Sequence, residues 1–222
     1  MKISIKQWSI LCMIGMGFAS CHQTNPYHIQ RTLKTIQQNN CKLTLYYPQI
    51  VIEEPSPQVE ELNRLLEIHG AFEDHLRRCK ETQEQLTVVK GDFRVTLQSQ
   101  ELLSIEFITE QLFGEVSDTT YHSLVLNPSK IDEGLLSYLS IELGQLIPQL
   151  DRGDLLPYVR RYNEKKKATI NLAAYKKGNK HAIVWGVSER HLLLYVGGEG
   201  EFFGQDEIAI PLAELEQKVR QK

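Results

Sequence analysis

The sequence contains no apolar run of the roughly 20 residues needed to cross a bilayer, and no HExxH, GxSxG or CxxC motif. These gaps argue against a spanning anchor, a zinc protease helix, a serine-hydrolase elbow and a dithiol centre. There is no excess of base either: 25 Lys and Arg stand against 28 Asp and Glu. The one basic cluster, Lys165 to Lys167 with Arg160 and Arg161 close by, reads as the solvated end of a helix and not as a nucleic-acid footprint. The seven histidines (His22, His28, His69, His75, His122, His181 and His191) show no recognised metal spacing, so no metal or other cofactor is expected. No serine, cysteine or acid falls into a catalytic constellation, and no enzyme activity is expected.

What is present is concentrated at the N-terminus. Lys2 and Lys6 form a positive start, Trp8 to Phe18 an apolar stretch, and Ala19-Ser20 a pair of small residues before Cys21. This is the layout of an exported chain, and Gly17-Phe18-Ala19-Ser20-Cys21 resembles a lipobox, with Phe18 where an aliphatic residue is usual. The reading is a signal peptide over residues 1–20, cleavage before Cys21, lipid on that cysteine, and a short tether over 21–27. Two or three acyl chains hold a protein on a bilayer where one binds only marginally. His22 follows the cysteine, without the aspartate that retains some lipoproteins at the inner membrane. The expected location is therefore the cell envelope, on the outer membrane facing the periplasm.

Removing residues 1–20 takes away two lysines and no acid, leaving 202 residues with 23 basic and 28 acidic side chains. That length supports one large domain or two small ones with a real core. Two of the four cysteines remain unassigned, Cys41 and Cys79. In an oxidising compartment they read first as a disulfide. Two free thiols, or a reactive or metal-binding pair, are the alternatives.

Hydrophobic periodicity organises the rest. Residues 28–36 and 41–47 read as paired strands around Gln37-Gln38-Asn39-Asn40, with Pro48 ending the second. Ser56-Pro57 starts a helix that carries Val59, Leu62, Leu65, Leu66, His69, Phe72 and Leu76 to about Cys79. One long strand spans 86–97 with a bulge at Gly91, and strands near 103–107 and 119–126 complete an antiparallel meander. Residues 131–150 read as one helix on a leucine stripe, with a shorter helix from Asp154 to Tyr162. Alternation at Ile170, Leu172 and Ala174, at Ile183, Trp185 and Val187, over 192–196 and at Ile208 and Ile210 predicts further strands, and Leu212 to Val219 a closing helix. Strands and helices grouped in this order define an α+β fold, antiparallel sheets with helices packed on one side, in an N-terminal half over 28–127 and a C-terminal half over 128–222.

Three residues stand out as binding candidates. His122 lies on a strand, whereas His69, on a helical apolar stripe, reads as a packed, hydrogen-bonded histidine. Phe202 and Phe203 adjoin each other in the glycine-rich loop 197–204, where both cannot point to one face. A hydrolytic alternative would use Glu106, Glu110 or Asp118 near His122.

The run His191-Leu192-Leu193-Leu194-Tyr195-Val196, a loop, and Phe203-Gly204 through Ile208-Ala209-Ile210-Pro211-Leu212 resembles the end of the RsiV-like extracellular domain family, found in lysozyme-sensing proteins and in exported lipoproteins. Leu45-Tyr46-Tyr47-Pro48-Gln49-Ile50 with Leu62-Asn63, and Leu102-Leu103-Ser104-Ile105, are similar to its N-terminal strand, helix and central strand. The Gly-Gly-Ala-His type turn common in that family is absent from 114–122. The resemblance implies an α+β envelope module, non-enzymatic, that binds a cell-wall glycan or a muramidase or lysozyme-like protein. The alternatives are a cell-wall glycan hydrolase and an envelope assembly or immunity lipoprotein.

Overall fold

The computed structural model describes residues 27–38, 40–54, 56–70, 72–81, 87–133, 142–176, 183–197 and 204–221. The signal peptide, Cys21, Phe202 and Phe203 lie outside the described residues, as does the side chain of Cys79. The chain forms α+β architecture with two sheets. Strands β1 (Tyr27–Gln38), β2 (Cys41–Ile52), β3 (Thr87–Gln98), β4 (Leu103–Phe113) and β5 (Val116–Leu126) make the larger sheet in sequence order. Strands β6 (Val184–Val187), β7 (His191–Val196) and β8 (Asp206–Pro211) make the smaller one. Helices α1 (Pro57–His69) and α2 (Phe72–Glu81) connect β2 to β3. Helices α3 (Leu143–Leu146) and α4 (Arg152–Lys166) precede the small sheet, and α5 (Leu212–Arg220) follows it.

The layers follow from alternation within the two central strands. In β4, Leu103, Ile105 and Phe107 pack in one cluster with Val59, Leu62 and Leu66 of α1. The intervening Ser104 and Glu106 are also buried, against the small sheet: Ser104 Oγ accepts the Val187 backbone N–H at 3.0 Å. In β7, Leu192, Leu194 and Val196 join Leu155 and Val159 of α4 and Leu215 of α5. Leu193 and Tyr195 turn the other way and pack with Val184 and Tyr121. The order through the molecule is α1, large sheet, small sheet, then α4 and α5. Each sheet thus has helices on one face and the other sheet on its second face, which is why β7 is apolar almost without interruption and why both faces of β4 are buried from Leu103 to Phe107.

Several expectations are corrected. Strands β3, β4 and β5 form the expected antiparallel meander, but β2 and β3 run parallel, paired from Cys41 opposite Thr87 to Leu45 opposite Gly91. Pro48 does not end β2, which continues to Ile52. The reason lies two residues on. The Ile50 N–H donates to Asn63 Oδ1 at 2.7 Å, and Asn63 Nδ2 donates to the Ile50 carbonyl at 2.9 Å. Ile50 therefore turns its backbone groups away from β1 and toward α1. Pro48 shares that orientation, and the β3 ladder has already stopped at Leu45, so no ladder bond is lost to its missing N–H.

The helix from Ser56 is two helices. The Ser56 side chain caps α1 by accepting from the Val59 N–H, and the helix stops at His69, with Gly70 donating to the Leu66 carbonyl. Gly91 is not a bulge; the register break falls between Val95 and Leu97. A Cβ at Gly91 would lie 2.3 Å from Leu45 Cδ2, so glycine here permits the parallel strands to close. The leucine stripe of 131–150 does not form one helix: a 3-10 turn covers Pro128–Glu133, and α3 spans four residues behind an extended Glu142. Helix α4 begins at Arg152, earlier than Asp154, and reaches Lys166. Ile170, Leu172 and Ala174 are not a strand; Leu172–Tyr175 is a 3-10 turn capped by Asn171, which accepts from the Ala173 N–H at 2.9 Å. Alternating apolar residues there cover the small-sheet core from a turn.

Candidate functional site

His122 occupies the middle of β5, directly opposite Phe107 of β4. The α1 face of the sheet brings it to His69, in the last turn of that helix. His69 Nδ1 and His122 Nε2 are 2.9 Å apart. The ring planes differ by 6° and the centroids are 5.2 Å apart. The nitrogens are closer than the centroids by about two ring radii, so the rings meet edge to edge in nearly one plane, and one N–H lies between two nitrogens. Phe107 flanks the pair at 6.1 Å from the His122 centroid. Burial, with the neighbouring His122, pushes His69 from the usual 6.5 down to about 4. The expectation of a packed, hydrogen-bonded His69 is met, and its partner is the histidine that sequence reading singled out for binding.

The proposed acid partners of His122 are not gathered around it. Glu106 is next to Phe107 in β4 and so points to the opposite face. Glu110 shares that opposite face and is exposed. Asp118 is four residues from His122 along β5, roughly 13 Å of strand, and accepts from Gln205 Nε2 at 3.2 Å. Among the described residues no group of three or more His, Cys, Asp or Glu converges as a metal cluster.

Glu106 belongs to a second polar centre, between the sheets, that sequence reading missed. Its side chain is 0% exposed. Arg94, its cross-strand neighbour in β3, places Nε 2.6 Å from Glu106 Oε2 and a terminal nitrogen 2.7 Å from Glu207 Oε2 of β8. One half-exposed guanidinium thus ties the two sheets together. Arg94 and the buried Tyr195 hydroxyl both act on the Glu106 carboxylate and favour its charged form against the cost of burial. Burial raises the Glu106 carboxyl above its usual range, and Arg94 offsets part of that rise. Burial, then the adjacent Glu106 charge, raises the Tyr195 phenol well above its usual value. Around these groups Thr96 Oγ1 donates to Ser104 Oγ at 2.8 Å, linking β3 to β4. Tyr121 and Tyr195 stack with centroids 5.8 Å apart.

Two glycines permit close packing here. A Cβ at Gly186 of the small sheet would fall 2.8 Å from Ser123 Oγ of the large one, and one at Gly204 would fall 2.6 Å from the Tyr195 carbonyl carbon of β7, the strand it lies against. Gly204 also exchanges two backbone hydrogen bonds with Tyr121, at 2.7 and 2.9 Å. The available signal for this centre was the pairing of polar Ser104 and Glu106 with apolar Leu103, Ile105 and Phe107, which reads as a solvated face until a second sheet is known to cover it.

Cys41 is buried at the start of β2 in a cluster with Leu43, Leu45, Val89 and Leu76 of α2. Cys79 lies in α2. Among the described residues no helix is long and apolar enough to cross a membrane.

No protein-family model matches the sequence, and no curated protein matches it. Solved structures similar to the chain include a member of the DUF3298 family from Bacteroides fragilis, at 12% identity and a TM-score of 0.42, over 88% of this chain and 97% of that one. Another is a DUF3298 family protein from Pseudomonas aeruginosa, at 11% identity and a TM-score of 0.49, over 86% of this chain and 92% of that one.

Proposed function

We propose that this chain is a lipid-anchored cell-envelope module that binds a macromolecule, a lysozyme-like protein or a cell-wall glycan, without transforming it. The observation that carries the reading is the N-terminal sequence: Lys2 and Lys6, the apolar stretch to Phe18, and Gly17-Phe18-Ala19-Ser20-Cys21. It makes residues 1–20 a signal peptide, places lipid on Cys21 and holds the domain close to the outer membrane, facing the periplasm. The similarity of the 45–50, 62–63, 102–105 and 191–212 motifs to the RsiV-like extracellular family supplies the class of ligand. Non-catalytic binding is supported by the separation of Glu106, Glu110 and Asp118 from His122. A Cys41–Cys79 disulfide belongs to the same reading; it would tie α2 to the strand against which Leu76 packs and stabilise by roughly 3–4 kcal/mol for a loop of about 40 residues.

Two experiments test it. Radioactive palmitate should label the chain and fail to label Cys21→Ala; equal labelling removes the anchor. Immobilised lysozyme should retain the purified chain at low ionic strength, with retention falling as salt is added, because the acidic balance steers a cationic partner. Absence of retention, together with binding to isolated peptidoglycan, would assign the glycan instead.

A further inference from the structure

We infer that His69 and His122 form a two-histidine site for a borderline transition-metal dication, Zn2+ in the first instance, that pins α1 to β5. Two features of the geometry carry this. First, the ligand atoms come from regular elements, the last turn of a helix and the centre of a strand paired along its whole length with β4. Convergence at 2.9 Å is thus built into the fold and does not depend on a loop. Second, the rings are coplanar and face each other through ring nitrogens. Two nitrogens on one tetrahedral Zn2+ at 2.0–2.1 Å stand roughly 3.3–3.4 Å apart. The pair needs to open by about 0.4–0.5 Å and rotate so that both lone pairs meet at one point.

The proton balance is simple. In the metal-free pair one nitrogen carries the hydrogen between the rings. Metal binding needs both lone pairs, so that proton moves to the outer nitrogen of the same ring, Nε2 for His69 or Nδ1 for His122, and the pair stays neutral. Both residues are partly exposed, which leaves an entry path and lets water complete the coordination, as in sites that keep open positions. Imidazole donors suit zinc, copper and nickel over magnesium or calcium.

The test uses the purified full-length chain, stripped of metal with a chelator and dialysed. Zinc chloride titrated calorimetrically should bind at one ion per chain. His69→Gln and His122→Gln should each weaken binding at least tenfold, while His28→Gln, on the exposed side of β1, should leave it unchanged. In the unsubstituted chain, zinc should raise the melting temperature progressively with concentration. It should also protect His69 and His122 from diethyl pyrocarbonate, read by peptide mapping. That second measurement stands whether or not a variant folds. Equal affinity in parent and both variants, protection at other histidines only, or no binding at millimolar zinc would overturn the site and leave a hydrogen-bonded packing pair.

Discussion

The His69–His122 pair makes the stability of this fold depend on pH with a defined sign. His69 titrates near 6.5 when unfolded and near 4 when folded. Between those values the unfolded chain binds more protons, so acid favours unfolding. The contribution of His69 is fully present above its unfolded value and is lost as pH falls toward 4. Lowering the pH from 7.5 to 5 removes about 2 kcal/mol by this linkage. The measurement is urea unfolding in chelator-containing buffer at both pH values, for the parent and for His69→Gln. Glutamine does not titrate and can still hydrogen-bond His122. Carboxylates contribute to both proteins alike and cancel in the comparison. The parent should lose about 2 kcal/mol more than the variant. With a urea slope of roughly 2–3 kcal/mol per molar, its midpoint should fall by a further 0.7–1 M, roughly. If parent and variant lose stability in parallel, protonation of His69 is not opposed by the fold and the account of the pair is wrong.

Three further perturbations probe the contacts that join the layers. Arg94→Met strands the buried Glu106 carboxylate. It should cost about 2–3 kcal/mol, less than a fully buried pair because Arg94 is half exposed. Adding Glu106→Gln should restore part of that loss, and two independent, additive losses in the double-variant cycle would refute the coupling. Gly204→Ala forces a Cβ to within 2.5–2.7 Å of Tyr195 and Val196. It should cost about 2–3 kcal/mol, a drop of roughly 5–10 °C in melting temperature for a chain this size; an unchanged melting temperature would mean that the chain at Gly204 can shift away from β7 at no cost. Asn63→Ala leaves the Ile50 N–H and carbonyl without their partner and should cost about 1–3 kcal/mol, seen as faster amide exchange at Ile50.

The boundary between what was readable and what was not follows range of interaction. Alternation of Cys41, Leu43 and Leu45 with Lys42 and Thr44, and the apolar run from Leu192 to Val196, are local consequences of a strand with one or two buried faces, and they located β2 and β7. Ser56-Pro57 marked the start of α1 for an equally local reason. The parallel pairing of β2 with β3 has no local mark, because Cys41 meets Thr87 only after two helices have crossed the sheet. Pro48 misled because its effect depends on which side of β2 lacks a neighbour. The stripe from Leu135 to Leu150 satisfied helical spacing, yet the segment begins as a 3-10 turn and is extended at Glu142. At the candidate sites, His122 was noticed on chemical grounds alone. His69 reads from its apolar stripe as a packed, hydrogen-bonded residue, but nothing in the spacing names His122 as its partner, and Glu106 was set beside His122 when the pleat sends them to opposite faces. Arg94, Tyr195 and Glu207 came into view only once the second sheet covered the first.

Tyr27 has a mechanical consequence. It is the first residue of an edge strand, its hydroxyl donates to the Ser99 carbonyl at 2.7 Å, and its own carbonyl accepts from Gln98 Nε2 at 3.3 Å. A chain held at Cys21 would be loaded through this residue. Tension there would otherwise open the antiparallel β1–β2 ladder like a zipper, one rung at a time, starting from Tyr27 opposite Ile52. The Tyr27 clamp would transfer that load first to the β3–β4 turn, in the centre of the sheet, so the hydrogen bond of a buried phenol would have to break before the edge strand could unzip.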